Sequence, residues 1–233
     1  MTIFTTTSYP VGALIADIDL GKVGLPDLQR PFVWANVKVR NLFDSLYKGY
    51  PAGFLLFWDT GAEGGLKGIG AKNSKAVPKL AIVDGQQRLT SLYAVVKGEE
   101  VFRGNFKKER IRIAFNPLTE RFAVWDAAIV KDKSFIPDIS ELWRPEANVF
   151  SIAGDFLDQL SSVRELSDAD KKRIQNAIGK LHGLTNQYSF TALTLSAMVD
   201  GATVADVFVR INGEGKQLNQ SDFIMTLMSV YWD

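Results

Sequence analysis

Apolar residues recur along this chain with two periods, and each period predicts one kind of element. A helical spacing of i, i+3, i+4, i+7 and i+8 predicts a helix that begins near a candidate capping residue, Asn36, and ends at Gly49. The apolar residues that follow this spacing are Val39, Leu42, Phe43, Leu46 and Tyr47.

Short apolar runs, some with strand-like alternation, predict strands between the helices. Asn116 and Pro117 divide two of these runs and are typical of the turn of a hairpin. The predicted strands are 54–58, 80–83, 111–115, 122–125 and 188–195.

The later part of the chain is mainly helical in pattern. Apolar spacing predicts one helix around 156–163 and a second that is capped by residues 167–170 and ends near His182 and Gly183. A short amphipathic helix is predicted over 204–211. Near the start, 5–8 is a polar lead, and 11–20 fits a strand or a short helix. The alternation of strands and helices predicts a mixed α/β (α+β) fold with an additional helical region at about 138–184.

Composition excludes several classes of protein. The chain has 233 residues, of which 46% are hydrophobic and 23% charged, as in ordinary globular domains. Because cysteine is absent, thiolate metal sites and cysteine nucleophiles are excluded, and a reducing cytoplasm suits the chain. No run approaches the length of a membrane span. The net charge of +1 means that any contact with nucleic acid must come from a local patch.

The single histidine argues against one group of enzymes. Metal-dependent nucleases of the HNH type usually need more than one histidine, and this chain has only His182. Its predicted position at the end of a helix favours a structural role, because polar and basic residues interact well with that end of a helix.

The stretch 82–91 carries the candidate chemistry. A buried strand passes into a helix through Asp84, Gly85, Gln86, Gln87 and Arg88. Glycine allows close backbone approach, the first amides of a helix attract anions, and an arginine one turn into the helix offers a planar fork of donors to phosphate. The two glutamines add neutral donors for a phosphate, a sugar or a base.

Asp84 has several possible roles beside such a phosphate site. A carboxylate there is unfavourable unless a cation lies between the two anions, so Asp84 could hold a divalent cation, orient a water molecule or cap the helix. A purely structural interpretation also fits, in which Asp84 caps the helix, Gly85 makes the turn and Arg88 pairs with a nearby carboxylate.

Four motifs in one order resemble those of a known family. The sequence Asp-Gly-Gln-Gln-Arg after an apolar strand is similar to the signature of the ParB/sulfiredoxin-like N-terminal domain of GmrSD-type restriction endonucleases. The other stretches that resemble this family are 25–34 (LPDLQRPFVW), 49–58 (GYPAGFLLFW) and 208–215 (FVRINGEG) with Leu218 beyond it. Together they span 25–222.

The resemblance implies a single nucleotide-binding domain over 1–233, with a core at about 10–130 and 185–233. It implies binding and Mg²⁺-dependent hydrolysis of a nucleoside triphosphate in a defence system against foreign DNA such as that of phages. The catalytic residues would be Asp84, which would also hold the metal, and Arg88. A nuclease domain or subunit, expected to lie outside this chain, would cleave the DNA.

The other motifs supply further candidate binding residues. The resemblance puts Gln29 and Arg30 in the nucleotide pocket beside Gly85, Gln86 and Gln87, although Leu28 stands where the family commonly has an aromatic residue. Arg30 also fits an ordinary ion pair. Arg210 and Asn212 could meet the ligand from the opposite side, but both also suit a helix end.

Two further segments have open interpretations. The glycine-rich stretch 59–78 could close over a nucleotide or simply connect two elements, and it lacks the spacing of a phosphate-binding Walker A loop. A basic stretch could contact DNA or form a solvated face. Its basic residues are Arg103, Lys107, Lys108, Arg110 and Arg112.

Three functions therefore remain open from the sequence. The first is a nucleotide-hydrolysing domain that gates DNA cleavage. The second is a switch that binds a nucleotide without hydrolysing it. The third is a ParB-like nuclease, for which one histidine and no clear carboxylate cluster offer little support.

Overall fold

A computed structural model describes residues 2–25, 32–61, 78–104 and 107–212. In chain order the strands are β1 Phe4–Pro10, β2 Val23–Gly24, β3 Phe54–Asp59, β4 Leu80–Asp84, β5 Glu100–Phe102, β6 Lys108–Arg110, β7 Ile113–Asn116, β8 Arg121–Val124 and β9 Ser189–Leu195. The α-helices are α1 Val11–Asp19, α2 Asn36–Tyr47, α3 Gln86–Lys97, α4 Ala127–Lys131, α5 Val149–Ser161, α6 Asp168–Gln187 and α7 Gly201–Asn212. A 3-10 helix covers Ile139–Trp143. These elements confirm the mixed α/β class.

The chain folds into two compact units. Unit 1 consists of residues 1–31, 53–86 and 189–233, and unit 2 of 32–52 and 87–188. No helix in the described ranges is long and apolar enough to cross a membrane.

Unit 1 contains a mixed sheet of five described strands in the order β1-β9-β3-β4-β2. β9 is antiparallel to β1 and parallel to β3, while β4 is antiparallel to β3 and parallel to β2. The three middle strands are the most apolar, as expected for strands with neighbours on both sides. The strand that leads to the candidate turn, β4, is therefore held on both edges.

The core of unit 1 lies between this sheet and α7. Leu56 and Trp58 of β3 and Leu195 of β9 are buried together with Val204 and Phe208 of α7. Val83, which directly precedes Asp84, packs against the same cluster. This packing fixes the end of β4.

Two predictions at the start of the chain are resolved by the structure. Residues 11–20, which fitted a strand or a short helix, form α1, because Val11, Leu14, Ile15 and Ile18 bury one helical face. The polar lead 5–8, for which no element was predicted, lies in β1, which pairs with β9 along its whole length. Its threonines are exposed on both faces, so main-chain pairing with β9 and not burial makes this segment a strand.

Unit 2 has an aromatic core beneath α2. The ring of Tyr47, at the end of α2, lies 5.2 Å from that of Phe115 and 5.6 Å from that of Phe122. Phe115 and Phe122 pair across the hairpin of β7 and β8, which was predicted at this position. The turn is held by Asn116, whose side-chain oxygen accepts hydrogen bonds from the amides of Leu118 and Thr119.

Two predicted helix ends differ from the structure. Asn36 is the first residue of α2 and not its cap, because Ala35 holds the cap position and the Asn36 side chain contacts Arg103 and Glu109. The predicted end near His182 and Gly183 is wrong, since α6 continues to Gln187. Buried Leu181 and Leu184 on either side keep Gly183 helical, because tertiary burial outweighs a weak local preference.

Candidate functional site

The predicted strand-turn-helix motif is present. β4 ends at Asp84, Gly85 forms the turn and α3 begins at Gln86. We name Asp84, Gly85, Gln86, Gln87 and Arg88 the 84–88 turn. Because Gly85 directly precedes the first helical residue, it and not Asp84 stands at the usual cap position of α3.

Gly85 has a backbone conformation that favours glycine. Its φ is +93°, and the residue is buried. A side chain at such a φ is strained because its Cβ collides with the backbone. The turn therefore brings bare backbone to the start of α3, where the first amides have no acceptor within the helix and attract negative charge.

Asp84 is half-buried at the end of β4 and pairs in register with Leu56 of β3. The ranges that the structure describes contain no group of three or more His, Asp or Glu residues able to hold a metal. Mg²⁺ is commonly held by one or two carboxylates together with phosphate oxygens of a ligand. Asp84 therefore fits a Mg²⁺ ion bound jointly with a phosphate, and not a metal site closed by protein ligands alone.

Gln87 connects the turn to the motif at 25–34. Its side-chain oxygen accepts a hydrogen bond of 3.1 Å from the backbone amide of Val33. Gln29 and Arg30, which were predicted to bind the nucleotide, lie outside the described residues. The structure thus brings the end of their motif to Gln87 and leaves these two predictions untested.

Arg88 connects the turn to the motif at 49–58. Its guanidinium donates a hydrogen bond of 2.7 Å to the carbonyl oxygen of Ala52. The alternative in which Arg88 pairs with a nearby carboxylate stays open, since this bond is to a backbone carbonyl. The bond uses one of the five N–H donors of the guanidinium.

The segment that binds Arg88 is held from its other side by Tyr188. The Tyr188 hydroxyl donates to the carbonyl oxygen of Tyr50 and accepts from the amide of Ala52, both at 3.0 Å. The chain of contacts runs from Tyr188 through 50–52 to Arg88. Sequence reasoning missed Tyr188 as a supporting residue, because nothing local marks a contact across more than 130 positions.

Arg210 and Asn212 have their described contacts on their own helix, α7. The guanidinium of Arg210 forms an exposed salt bridge of 2.8 Å with Asp206, and Asn212 donates a hydrogen bond of 2.9 Å to the carbonyl of Phe208. These contacts match the helix-end interpretation of both residues. Phe208 belongs to the core cluster that also packs against Val83, so α7 lies against β4.

The basic stretch 103–112 is partly neutralised by the protein itself. Arg103 binds Glu109 at 3.0 Å and the carbonyl of Trp34 at 2.6 Å, and Arg110 binds Asp138 at 2.9 Å. Arg112 lies 4.0 Å from the same carboxylate, that of Asp138, and over the ring of Trp125, while Lys108 lies over the ring of Phe102. The three paired arginines therefore have structural partners, and the guanidinium of Arg103 holds the pKa of Glu109 below its usual range.

The single histidine also has a structural setting. His182 lies inside α6, and its carbonyl oxygen accepts a hydrogen bond of 3.0 Å from the indole of Trp143.

Two segments with predicted roles lie outside the described residues. They are the glycine-rich stretch, apart from its first and last residues, and the segment from 213 onward, which includes Leu218. Their predicted roles stay predictions.

The fold is that of a mixed α/β domain in which a glycine turn joins a buried strand to the start of a helix. Residues 11–229 match the family described as "GmrSD restriction endonuclease, N-terminal domain". Because this match covers most of the chain, the protein belongs to that family and is a domain of a restriction system.

The chain is also similar to part of a curated protein. The chain is 31% identical over 110 residues to "Uncharacterized protein MJ0686" of Methanocaldococcus jannaschii. The similar region is 43% of this chain and 19% of the relative, so the chain spans about a fifth of that protein's length.

Proposed function

We propose that this domain binds a nucleoside triphosphate at the 84–88 turn, hydrolyses it with Mg²⁺, and thereby gates DNA cleavage by a nuclease domain or subunit. The observation that carries the proposal is the conformation of Gly85, at φ +93°, between the carboxylate that ends β4 and the amides that open α3. The domain would work in the cytoplasm, where nucleoside triphosphates and Mg²⁺ are abundant.

The residues of the turn would divide the work of phosphate binding. The first amides of α3 would hold phosphate oxygens, and the Arg88 guanidinium would add a charged donor, which binds oxygen about twice as strongly as a neutral one. The contacts of Gln87 with Val33 and of Arg88 with Ala52 support this assignment, since they join the motifs at 25–34 and 49–58 to the 84–88 turn.

Asp84 would hold the Mg²⁺ ion or orient the attacking water. Phosphoryl transfer depends mainly on positioning and on positive charge near the terminal phosphate, and a Mg²⁺ ion supplies such charge when bound. Removal of this carboxylate would leave binding of the triphosphate largely intact, because the amides of α3 and the Arg88 guanidinium provide the contacts to the phosphates.

A thermal-shift panel with ATP, GTP, CTP and UTP tests the binding step. A ligand specific to the folded state raises the unfolding temperature, so at least one nucleotide should do so. Arg88→Gln should weaken that binding at least about tenfold, since charged hydrogen bonds contribute roughly 1.5–3 kcal/mol. Arg121→Gln is the matched control, because Arg121 is exposed on β8 and should leave binding unchanged. A panel with no shift for any nucleotide would refute the proposal.

Phosphate release with and without Mg²⁺ tests the hydrolysis step. Asp84→Asn should keep nucleotide binding and lose release, while Asp155→Asn, on the exposed face of α5, should behave like the parent. Chelation of Mg²⁺ should stop release in the parent protein. If the nucleotide binds tightly and no phosphate appears after long incubation, the domain is a switch that does not turn over.

DNA cleavage by the domain itself can be tested directly. We expect plasmid DNA to stay intact with the isolated chain and Mg²⁺ or Mn²⁺, because the described residues lack a metal-binding acidic cluster. Nicking that disappears in Asp84→Asn would instead identify the chain as a nuclease.

DNA contact through the stretch 103–112 would use its residues unequally. Lys108 would meet phosphates, whereas Arg103, Arg110 and Arg112 are already paired with Glu109 or Asp138. Lys108→Gln should therefore weaken DNA binding with little loss of stability. Arg103→Gln should instead lower stability with little effect on DNA binding.

A further inference from the structure

A cleft in unit 2 is formed by residues that none of the four motifs includes. It has a volume of about 450 Å³ and follows one side of α6 beside the turn of the β7–β8 hairpin. An adjoining cleft of about 280 Å³ shares two of its lining residues and continues toward the end of α6. The lining residues used below are Tyr47, Glu120, Lys172, Arg173, Asn176 and Lys180.

The polar groups of the cleft lie on one stripe of α6. Arg173, Asn176 and Lys180 are spaced i, i+3 and i+7, which places them above one another on the same face of a helix. Lys172 adjoins them. Over eight residues the helix rises about 12 Å, so the cations are spread along the cleft.

The cations of the cleft have no salt-bridge partner among the described residues. In the described ranges, Lys172, Arg173 and Lys180 form no salt bridge, and the cleft holds only one carboxylate, that of Glu120. Other cations nearby do have partners, since Lys171 binds Asp168 at 3.3 Å. The cleft therefore keeps an excess of positive charge in a protein whose net charge is only +1.

The floor of the cleft is rigid. Tyr47 is 4% exposed and packs among the aromatic rings of Phe115 and Phe122. The ammonium of Lys180 lies 4.0 Å from the centre of the Tyr47 ring, a distance typical of a cation–π contact. Tyr47 therefore holds Lys180 in place over the cleft.

We propose that this cleft is a second anion site, which binds a phosphate group. The guanidinium of Arg173, the amide of Asn176 and the ammonium of Lys180 on one helical stripe, with the ammonium of Lys172 beside them, match a group with several anionic oxygens. The phosphate could belong to a DNA backbone or to a small free phosphate compound, and both present the same oxygens. The volume of about 450 Å³ has room for a phosphate together with part of the molecule that carries it, since ligand pockets commonly measure about 300–1,000 Å³.

Titration of the full chain tests the site, with chelator present so that no nucleotide turnover intervenes. The probes are inorganic phosphate, followed by calorimetry, and a labelled 20-base-pair duplex, followed by anisotropy at low salt. We expect Arg173→Gln and Lys180→Gln each to weaken binding about fivefold or more. Lys171→Gln, on the same helix but outside the cleft, is the matched control and should change affinity less than about twofold.

Glu120→Gln gives a test of opposite sign. Removing this carboxylate should strengthen phosphate binding, because a negative charge beside an anion is unfavourable. A loss of phosphate affinity in Glu120→Gln would mean that the anion does not bind beside this carboxylate, and would overturn the proposal.

The two probes distinguish the sources of the phosphate. Binding of the duplex alone identifies a DNA backbone, and binding of inorganic phosphate identifies a small ligand; either result supports the site if the cleft variants weaken it. The proposal fails if neither probe binds, or if both bind equally well to Arg173→Gln and to the parent. Arg88→Gln, which should weaken binding at the 84–88 turn, should leave binding in the cleft unchanged, and this separates the two sites.

Discussion

A single backbone angle decides whether the 84–88 turn can form. Gly85→Ala places a Cβ at φ +93°, and we expect the free energy of unfolding to fall by about 1–2 kcal/mol because left-handed backbone strains an L-residue. Nucleotide-induced thermal shifts should shrink in parallel.

Gly154→Ala is the matched control for this substitution. Gly154 lies inside α5, and a Cβ there would meet no atom within 4 Å. Alanine is a better helix former than glycine, so this variant should be about 0.5–1 kcal/mol more stable than the parent in chemical denaturation. If both variants are stabilised equally, the conformation assigned to Gly85 is wrong.

Tyr47 allows a prediction about a buried hydroxyl. Its oxygen is inaccessible and makes no hydrogen bond of normal geometry with described residues, while burial and the nearby Glu120 carboxylate raise the pKa of the phenol. A buried donor without a good partner is costly. In denaturant unfolding, Tyr47→Phe should therefore leave the free energy of unfolding unchanged or raise it by up to about 1 kcal/mol. A decrease of more than about 1 kcal/mol would show that the hydroxyl makes a strong bond to Glu120.

Among the helices, α6 has the most completely defined start. The Ser167 hydroxyl accepts from the amide of Asp170 at 3.1 Å, and the Asp170 carboxylate accepts from the amide of Ser167 at 3.2 Å, which is a capping box. Ser167→Ala should lower the free energy of unfolding by about 1 kcal/mol at pH 7. Ser161→Ala, at the exposed end of α5, is the control and should change stability little.

The same cap predicts a dependence on pH. The bonds from Ser167 hold the pKa of Asp170 below its usual range near 3.8. A lowered pKa in the folded state stabilises the protein above the unfolded pKa, and this contribution is lost as the pH falls through the folded value. The difference between the parent and Ser167→Ala should hence be constant from pH 7 to about pH 5 and shrink below pH 4, in urea unfolding at each pH.

Sequence patterns predicted helices and buried strands well, and failed where burial came from distant residues. The apolar spacing identified α2 and the cap of α6, and the turn sequence identified β7 and β8. β1 was missed because its threonines lack an apolar alternation, and only pairing with β9 makes it a strand. The pair His182 and Gly183 is locally typical of a helix end. The helix continues through it because of tertiary packing, which the local sequence does not show.

The same limit applied to the candidate site. The spacing of apolar and polar residues predicted β4, the glycine turn and the start of α3, all of which are local. The contacts of Gln87 with Val33 and of Arg88 with Ala52 join residues 54 and 36 positions apart, and no local pattern encodes them. Family resemblance indicated that these motifs belong together without giving the contacts.

For the molecule as a whole, charge position should matter more than total charge. Changing Lys172, Arg173 and Lys180 together to Gln removes three positive charges and takes the net charge from +1 to −2. The same change at exposed Lys131, Lys133 and Lys171 gives an identical net charge. If DNA binds in the α6 cleft, only the first triple variant should lose affinity.

Salt dependence gives the measurement for this comparison. Each neutralised phosphate contributes about −0.9 to the slope of log affinity against log salt, so three contacts would give about −2.7. We expect the cleft triple variant to flatten the slope and the control triple variant to keep it. Equal slopes in both variants would assign DNA binding to another surface.

The hydroxyl of Tyr188 leads to a mutational signature. It serves as donor to Tyr50 and acceptor from Ala52, so one oxygen satisfies two main-chain groups at once. Phenylalanine has the ring without that oxygen, and serine or threonine has an oxygen that is too close to its own backbone to reach. Saturation mutagenesis scored by the yield of folded protein should hence find position 188 nearly invariant.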